Sequence, residues 1–330
     1  MKFQAIRLYS ENSRRVSKMI DQTLDDLDPG EVVIRSQYAA VNYKDARAVT
    51  GVGNVISRLP CVPGVEMVGT VVESSASNFK PGDSVTVQGG REFGMRRDGA
   101  YSEYVRVPAA WIGRVPAGSD AFDMVGMGLA AYTSAVAINE LMRHGVTPDK
   151  GKIVVTGGTG GSSSFAIDML AGLGYHVVAS TGKPSEHEYL RKLGATEVID
   201  RDSLTTGDKP LEDQLWAGAI DAVGGTPLDK LLRSMQKQGV VCAFGNAAGE
   251  TFTTSIYPFI LRGVSLIGIN ANHPVPERGS VWQRMMPGGD LHPKHLKDIC
   301  YTIPFSQLQA HCDKLIAGNI RGRAVVQFGK

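Results

Sequence analysis

The sequence predicts an α/β protein in two parts, a compact β-rich domain and a doubly wound parallel sheet. Three observations carry this. Up to about residue 120, short apolar stretches are punctuated by Gly and Pro, the pattern of many short strands. Beyond that point short apolar strands alternate with helical stretches, which puts helices on both faces of a parallel sheet. The length of 330 residues suits about two domains.

The elements follow in order. Residues 2–8, 31–40 and the Val-rich run 64–73 read as strands. Residues 78–82 form a turn before a strand at 83–87, and 99–107 alternates as another strand. Helical spacing appears at 122–127 and 131–144. Residues 152–156 are a short apolar strand, and 162–173 a helix apolar on most sides. A second strand spans 176–179. Ser185 is expected to open a helix, with Glu188 three residues on completing a capping box and Gly194 as the stop. Residues 197–199, 219–222 and 239–244 supply three more strands, expected to be buried, and 263–269 a sixth. A helix at 305–317 precedes a last strand, 323–328, which returns to the first domain. The predicted domains are therefore 1–122 with 300–330, and 123–299.

Composition narrows the function classes. The net charge is +2, and Lys and Arg are scattered, so no nucleic-acid partner is expected. The four cysteines, Cys61, Cys242, Cys300 and Cys312, form no CxxC clip and read as reduced thiols. The N-terminus has no apolar signal core. No apolar run approaches the roughly 18 residues that cross a bilayer. These readings predict a soluble, cytoplasmic protein with no membrane partner.

The strongest motif is the strand 152–156 followed by Gly157-Gly158-Thr159-Gly160-Gly161-Ser162-Ser163-Ser164 and a helix. A glycine turn in this context is the fingerprint of a Rossmann-type dinucleotide site. Gly158 and Gly160 let the chain turn and a phosphate approach. The amides of Gly160, Gly161 and Ser162 sit where a helix dipole favours an anion, and the hydroxyls of Ser162, Ser163 and Ser164 are expected to add donors. Ser163 stands where the fingerprint has its third glycine. An NAD site carries an acidic residue roughly 20 residues further on. Here that region reads Ser180-Thr181-Gly182-Lys183, two hydroxyls and a cation, which suit a 2′-phosphate. Arg201 is expected to add a second cation. The predicted cofactor is NADPH.

The chain resembles the zinc-free quinone oxidoreductase branch of the medium-chain dehydrogenase/reductase superfamily, and within it the acrylyl-CoA reductase group. The likeness is carried by Ala40-Val41-Asn42-Tyr43-Lys44-Asp45, Pro63-Gly64-Val65-Glu66-Met67-Val68-Gly69, Gly99-Ala100-Tyr101-Ser102-Glu103-Tyr104, Trp216-Ala217-Gly218-Ala219-Ile220-Asp221, Pro258-Phe259-Ile260-Leu261-Arg262 and Gly322-Arg323. The resemblance implies that the β-rich part is a GroES-like catalytic domain. It also implies no metal, because zinc-dependent relatives place a cysteine and a histidine where this chain has Asn42 and Val65. By similarity Tyr43 and Thr133 lie near the nicotinamide. Phe244, Gly245, Ile269 and Asn270 end sheet strands beside it, and Asn319 and Arg323 come back from the C-terminal segment. A homodimer joined through the cofactor domains is implied too.

The expected chemistry is hydride transfer to the β-carbon of an α,β-unsaturated thioester such as acrylyl-CoA, with protonation at the α-carbon. Tyr43 is the candidate donor to the resulting enolate. Asn42 orients the loop or the carboxamide, and Asp45 and Glu66 hold backbone or pair with a cation. Arg91 and Arg97 are expected to bind CoA phosphates. The segment Trp282-Gln283-Arg284 is expected either at the substrate or at a dimer contact, and His273, His292 and His295 at the surface. Two other readings stand beside this one. A quinone reductase would share the cofactor site, and an NADPH-binding sensor or structural protein would lack turnover.

Overall fold

The computed structural model describes residues 1–88, 90, 92–204, 207–273 and 278–329. The chain divides into two compact units: Met1–Leu129 with Asn272–Gly279 and Cys300–Lys330, and Ala130–Ala271 with Ser280–Ile299.

The first unit begins with a hairpin of β1 (Phe3–Glu11) and β2 (Arg14–Gln22). There follow β3 (Val32–Ala40), helix α1 (Tyr43–Val49), β4 (Glu66–Ser74), β5 (Ser84–Gln88), β6 (Tyr104–Val107) and β7 (Ile112–Arg114). Residues 99–103, expected as strand, are not in it. The amides of Gly99 and Ala100 go instead to the carbonyls of Val62 and Gly64, both at 2.8 Å.

The long helix α2 (Ala121–Arg143) joins what the sequence separates into two helical stretches. It is broken at Gly128, whose φ of 36° and ψ of −138° are non-helical. The switch between units falls one residue later, at Leu129, rather than at residue 122. This is a 23-residue helix long and apolar enough to cross a membrane by length and composition, with 72% of its most apolar window buried in the protein. Its apolar character is that of a core helix.

The second unit contains β8 (Lys152–Val155), α3 (Gly161–Gly172), β9 (His176–Thr181), α4 (His187–Lys192), β10 (Glu197–Asp200), β11 (Trp216–Asp221), α5 (Gly225–Arg233), β12 (Met235–Ala243), α6 (Tyr257–Arg262) and β13 (Ser265–Gly268), then most of α7 (Gly279–Met285) and α8 (Leu296–Ile299). Its six strands are parallel in the order β10-β9-β8-β11-β12-β13. This is the expected doubly wound sheet, whose order reverses between β8 and β11. The central strands are continuous apolar runs because helices cover both faces. Ile153, Val154, Val177, Val178, Ala219 and Ile220 are fully buried. The outer strands β10 and β13 are not, against expectation for β10, since an edge strand has a neighbour on one side only. Helix α4 also starts differently. Pro184 opens a short 3-10 turn through Ser185, and Glu186 rather than Ser185 precedes the helix, with no side-chain cap.

The chain closes in the first unit with β14 (Cys300–Pro304), α9 (Leu308–Ile316) and β15 (Arg323–Gln327). Strand β15 pairs antiparallel with β3, as its return predicted, and β14 lies parallel beside it. The resulting sheet runs β14-β15-β3-β4-β5-β7, with β6 on the other end of β3. Its core includes Val32, Ile34, Met67, Val85, Val87, Tyr101, Val105 and Val326.

Candidate functional sites in the two units

In the second unit the glycine turn links β8 to α3. Gly157 adopts φ +58°, a conformation that L side chains avoid, and its carbonyl accepts the amide of Gly160 at 2.9 Å. That bond uses the Gly160 amide, so the anion-facing donors are those of Gly161, Ser162 and Ser163, which have no acceptor one turn earlier. The serine hydroxyls correct a second expectation. Ser163 Oγ donates to the Thr156 carbonyl at 2.8 Å and Ser164 Oγ to the Gly158 carbonyl at 3.1 Å. Both side chains are buried, so they brace the turn from beneath instead of reaching a ligand. Ser163 thus replaces the packing glycine with a hydroxyl that bonds the strand it packs on.

Asp221, at the end of β11, was not singled out as a site residue and fixes the same turn. Its carboxylate accepts Thr156 Oγ1 at 2.7 Å and the Gly224 amide at 2.9 Å. Burial pushes its pKa up, opposed by these bonds. In sequence it appears only as the polar end of an apolar strand.

The expected 2′-phosphate residues do come together. Ser180 and Thr181 end β9, and Gly158 donates to the Ser180 carbonyl at 2.8 Å. The Ser180 hydroxyl is buried without a hydrogen-bond partner among the described residues. Thr181 Oγ1 accepts the Lys183 amide at 3.2 Å. Burial lowers the pKa of Lys183, with Glu186 opposing. Arg201 lies directly over Gly182: a Cβ at residue 182 would stand 2.6 Å from Arg201 Nε. Arg201 remains exposed, with a loose ion pair to Asp202 at 3.5 Å. Thr159 is buried in the turn, and Thr133 is half-buried on α2. Phe244, Gly245 and Ile269 are half-buried rather than core, and Asn270 is exposed. The amides of Phe244 and Ile269 bond the carbonyls of Asp221 and Ala243. Trp282 stacks edge-on against Tyr132 at 6.1 Å, and Arg284 bonds Asp290 and Asn139. His295 is no simple surface residue, since its Nδ1 lies 2.8 Å from the buried Asp168.

In the first unit Tyr43 is the first residue of α1. Its ring is half-buried, and its hydroxyl makes no hydrogen bond among the described residues. Asn42, the residue before the helix, is engaged on every side. Its Nδ2 donates to Asp45 at 2.8 Å and to Glu66 at 2.7 Å, and its Oδ1 accepts from Arg323 at 2.9 Å. It therefore orients the loop, and its amide is not free for a carboxamide. Asp45 also accepts the Asn42 backbone amide at 3.0 Å. Burial pushes the Asp45 carboxyl up to about 6, with Lys44 and Asn42 pulling the other way.

Arg323 departs most from expectation. It is not a solvent-facing cofactor ligand but the partner of Glu66, with side chains 2% and 0% exposed. The other Glu66 oxygen accepts the Leu129 amide at 2.7 Å. Glu66 thus ties β4 to β15, to Asn42 and to the kink in α2. Gly128 is required at that kink, because a Cβ there would run into the Glu66 carboxylate. Asn319 sits in the turn that ends α9, its amide on the Lys314 carbonyl at 2.9 Å and its side chain exposed.

The expected CoA-binding arginines fare less well. Arg91 lies outside the described residues. Arg97 bonds the Pro29 carbonyl and stacks over Trp111 at 5.1 Å, which makes it a loop staple. Among the described residues no group of three His, Cys, Asp or Glu is arranged to hold a metal ion.

The chain matches two family descriptions. Residues 28–117 match the alcohol dehydrogenase GroES-like domain, and residues 161–287 match zinc-binding dehydrogenase. It is 38% identical over 319 residues to acrylyl-CoA reductase AcuI of Ruegeria pomeroyi, covering 96% of each chain. The structure of Escherichia coli YhdH with bound NADPH is similar at a TM-score of 0.92 and 37% identity, over 98% of this chain and 99% of that one. That of Bacillus subtilis YhfP with NAD bound is similar at 0.91 and 36%, over 99% of each chain. The name of YhfP assigns it provisionally to the quinone oxidoreductases.

Proposed function

Because this chain belongs to the medium-chain dehydrogenase/reductase family, we propose that it is an NADPH-dependent reductase of the carbon–carbon double bond in α,β-unsaturated thioesters such as acrylyl-CoA. The second unit binds the cofactor, and the first supplies the groups that handle substrate charge and protons. The observation that carries this reading is a cation, Arg201, lying over Gly182 beside Lys183 in sequence, in a chain whose catalytic unit offers a phenol, Tyr43, with no hydrogen-bond partner among the described residues. Residues 42 and 65 are Asn and Val, a poor pair for zinc.

The residues present fit NADPH. The amides of Gly161, Ser162 and Ser163 would hold the pyrophosphate at the start of α3. Lys183, Arg201, Thr181 and the unpartnered Ser180 hydroxyl would hold the 2′-phosphate, and no carboxylate at residues 180–183 repels it. This argument favours NADPH even though one similar structure carries NAD. When bound, the nicotinamide supplies hydride to an electron-poor carbon. The protein's own part is to stabilise the enolate oxygen and return a proton to the α-carbon, and Tyr43 serves there as donor. Lys183→Ala and Arg201→Ala are each expected to raise KM for NADPH about tenfold, the loss of one charge-assisted bond. KM for NADH should stay unchanged; equal effects on both cofactors would remove the 2′-phosphate assignment.

A quinone reductase would share this cofactor site. Steady-state kcat/KM with NADPH for acrylyl-CoA and for 1,4-benzoquinone separates the two. The expected result is a clear excess for acrylyl-CoA, and an excess for the quinone overturns the thioester reading.

We also infer a cytoplasmic homodimer. All four cysteines are buried free thiols, in keeping with a reducing compartment. Strand β13 is a sheet edge. Beside it Ile256, Tyr257, Ile260, Leu261 and Leu266 are exposed, Ile260 at 64%. An uncovered edge with a row of apolar side chains favours pairing with a second copy about a two-fold axis. Sedimentation is expected at about twice the 35.3 kDa chain mass, with Ile260→Asp shifting the protein to monomer. A monomeric wild type contradicts the dimer.

A further inference from the structure

We propose that Lys44, held by Asn272, is a second catalytic donor that hydrogen-bonds the carbonyl oxygen of the thioester as negative charge develops there. This rests on the thioester-reductase reading above. Lys44 directly follows Tyr43 on α1, and its Nζ lies 2.6 Å from Asn272 Oδ1. Asn272 belongs to the same compact unit, in the segment that rejoins it after β13.

The placement is unfavourable for a merely structural lysine. It sits in the first turn of a helix, where the dipole disfavours a cation. Burial lowers its pKa from the ordinary 10.5. Among the described residues Asn272 is its only hydrogen-bond partner, and it forms no ion pair. A desolvated ammonium with a single neutral acceptor keeps two N–H donors for something else. The residue as a whole is half-buried. The charged groups acting on it are Asp45 on its own helix and Glu66 on β4, which favour the charged form, and Arg278 in the segment bearing Asn272, which opposes it.

The chemistry balances with the reductant already proposed. As hydride from NADPH forms a C–H bond at the β-carbon, the π pair shifts to join the α-carbon to the carbonyl carbon, and the oxygen takes the negative charge. NADPH is oxidised and the alkene is reduced. Lys44 stabilises the oxygen without giving up its proton. Tyr43 then protonates the α-carbon as the carbonyl re-forms, and water reprotonates the phenol. A point cation serves the oxygen and a phenol serves the carbon, which divides the two tasks between neighbours on one helical turn.

The test compares wild type, Lys44→Met and Lys44→Arg. With NADPH and acrylyl-CoA, Lys44→Met is expected to lower kcat about 100-fold, the usual loss of one oxyanion donor, with KM for NADPH unchanged. Lys44→Arg is expected to retain part of the rate and to move the alkaline fall of kcat to higher pH, because arginine stays charged. Calorimetry with propionyl-CoA gives a readout without turnover, and Lys44→Met is expected to bind it about tenfold more weakly. An unmoved alkaline limb in Lys44→Arg overturns the proposal, as does unchanged kcat in Lys44→Met. If Lys44→Met does not fold, the limb in Lys44→Arg decides alone. Wild type that neither reduces acrylyl-CoA nor binds propionyl-CoA overturns the thioester reading itself, a result distinct from loss of the Lys44 role.

Discussion

Glu66→Gln is expected to destabilise the protein by about 3–5 kcal/mol, the usual effect of stranding one member of a buried ion pair. Arg323 would keep its charge in a site where both side chains are almost fully buried. Gln keeps one oxygen for the Leu129 amide, but its NH2 would then face the donors of Asn42 and Arg323, so the loss combines the missing charge with a missing acceptor. For a unit of this size that corresponds to a fall in Tm of about 10 °C, which calorimetry measures directly. The double variant Glu66→Gln with Arg323→Met removes the stranded cation as well and is expected to recover part of the loss. A single-variant effect below about 1 kcal/mol would mean that water reaches Arg323 and that the pair is not buried in solution. The same carboxylate accepts Asn42, the residue before Tyr43, so activity should fall with stability in the single variant.

Tyr43→Phe is expected to lower kcat with acrylyl-CoA about 100- to 1,000-fold, the range for loss of a positioned general acid. KM for NADPH should move little, because the ring remains. Among the described residues the phenol makes no hydrogen bond that its removal would break, so Tm should be unchanged. Stopped-flow and steady-state rates check this. An unchanged kcat would reduce Tyr43 to a ring packed beside the cofactor and leave protonation to water.

Which parts of this were legible in the sequence follows from what local pattern encodes. The glycine turn and the run 180–183 are local features, and their residues lie together as read. The doubly wound sheet followed from alternation of strand and helix. Strand β2 escaped notice because Arg14, Arg15, Lys18 and Asp21 give it a solvated pattern with no buried face to mark it. Arg323 and Glu66 are 257 positions apart, and nothing in either neighbourhood announces the other. Arg323 was placed beside the cofactor by similarity alone, whereas its side chain pairs with Glu66 inside the protein. Ser163 and Ser164 were read as donors to a phosphate. Residue type alone does not say that their hydroxyls point under the turn. Lys44 carried no signal at all, since its hydrogen-bond partner Asn272 lies far along the chain.

The central claim is that this protein moves a hydride from NADPH to the β-carbon of an unsaturated thioester. The most direct measurement is mass spectrometry and NMR of the product from acrylyl-CoA and NADPH deuterated at nicotinamide C4, run in ordinary water. The account predicts propionyl-CoA with deuterium at the β-carbon and a solvent proton at the α-carbon. Deuterium at the α-carbon, or no labelled propionyl-CoA while a quinone is reduced under the same conditions, would contradict it.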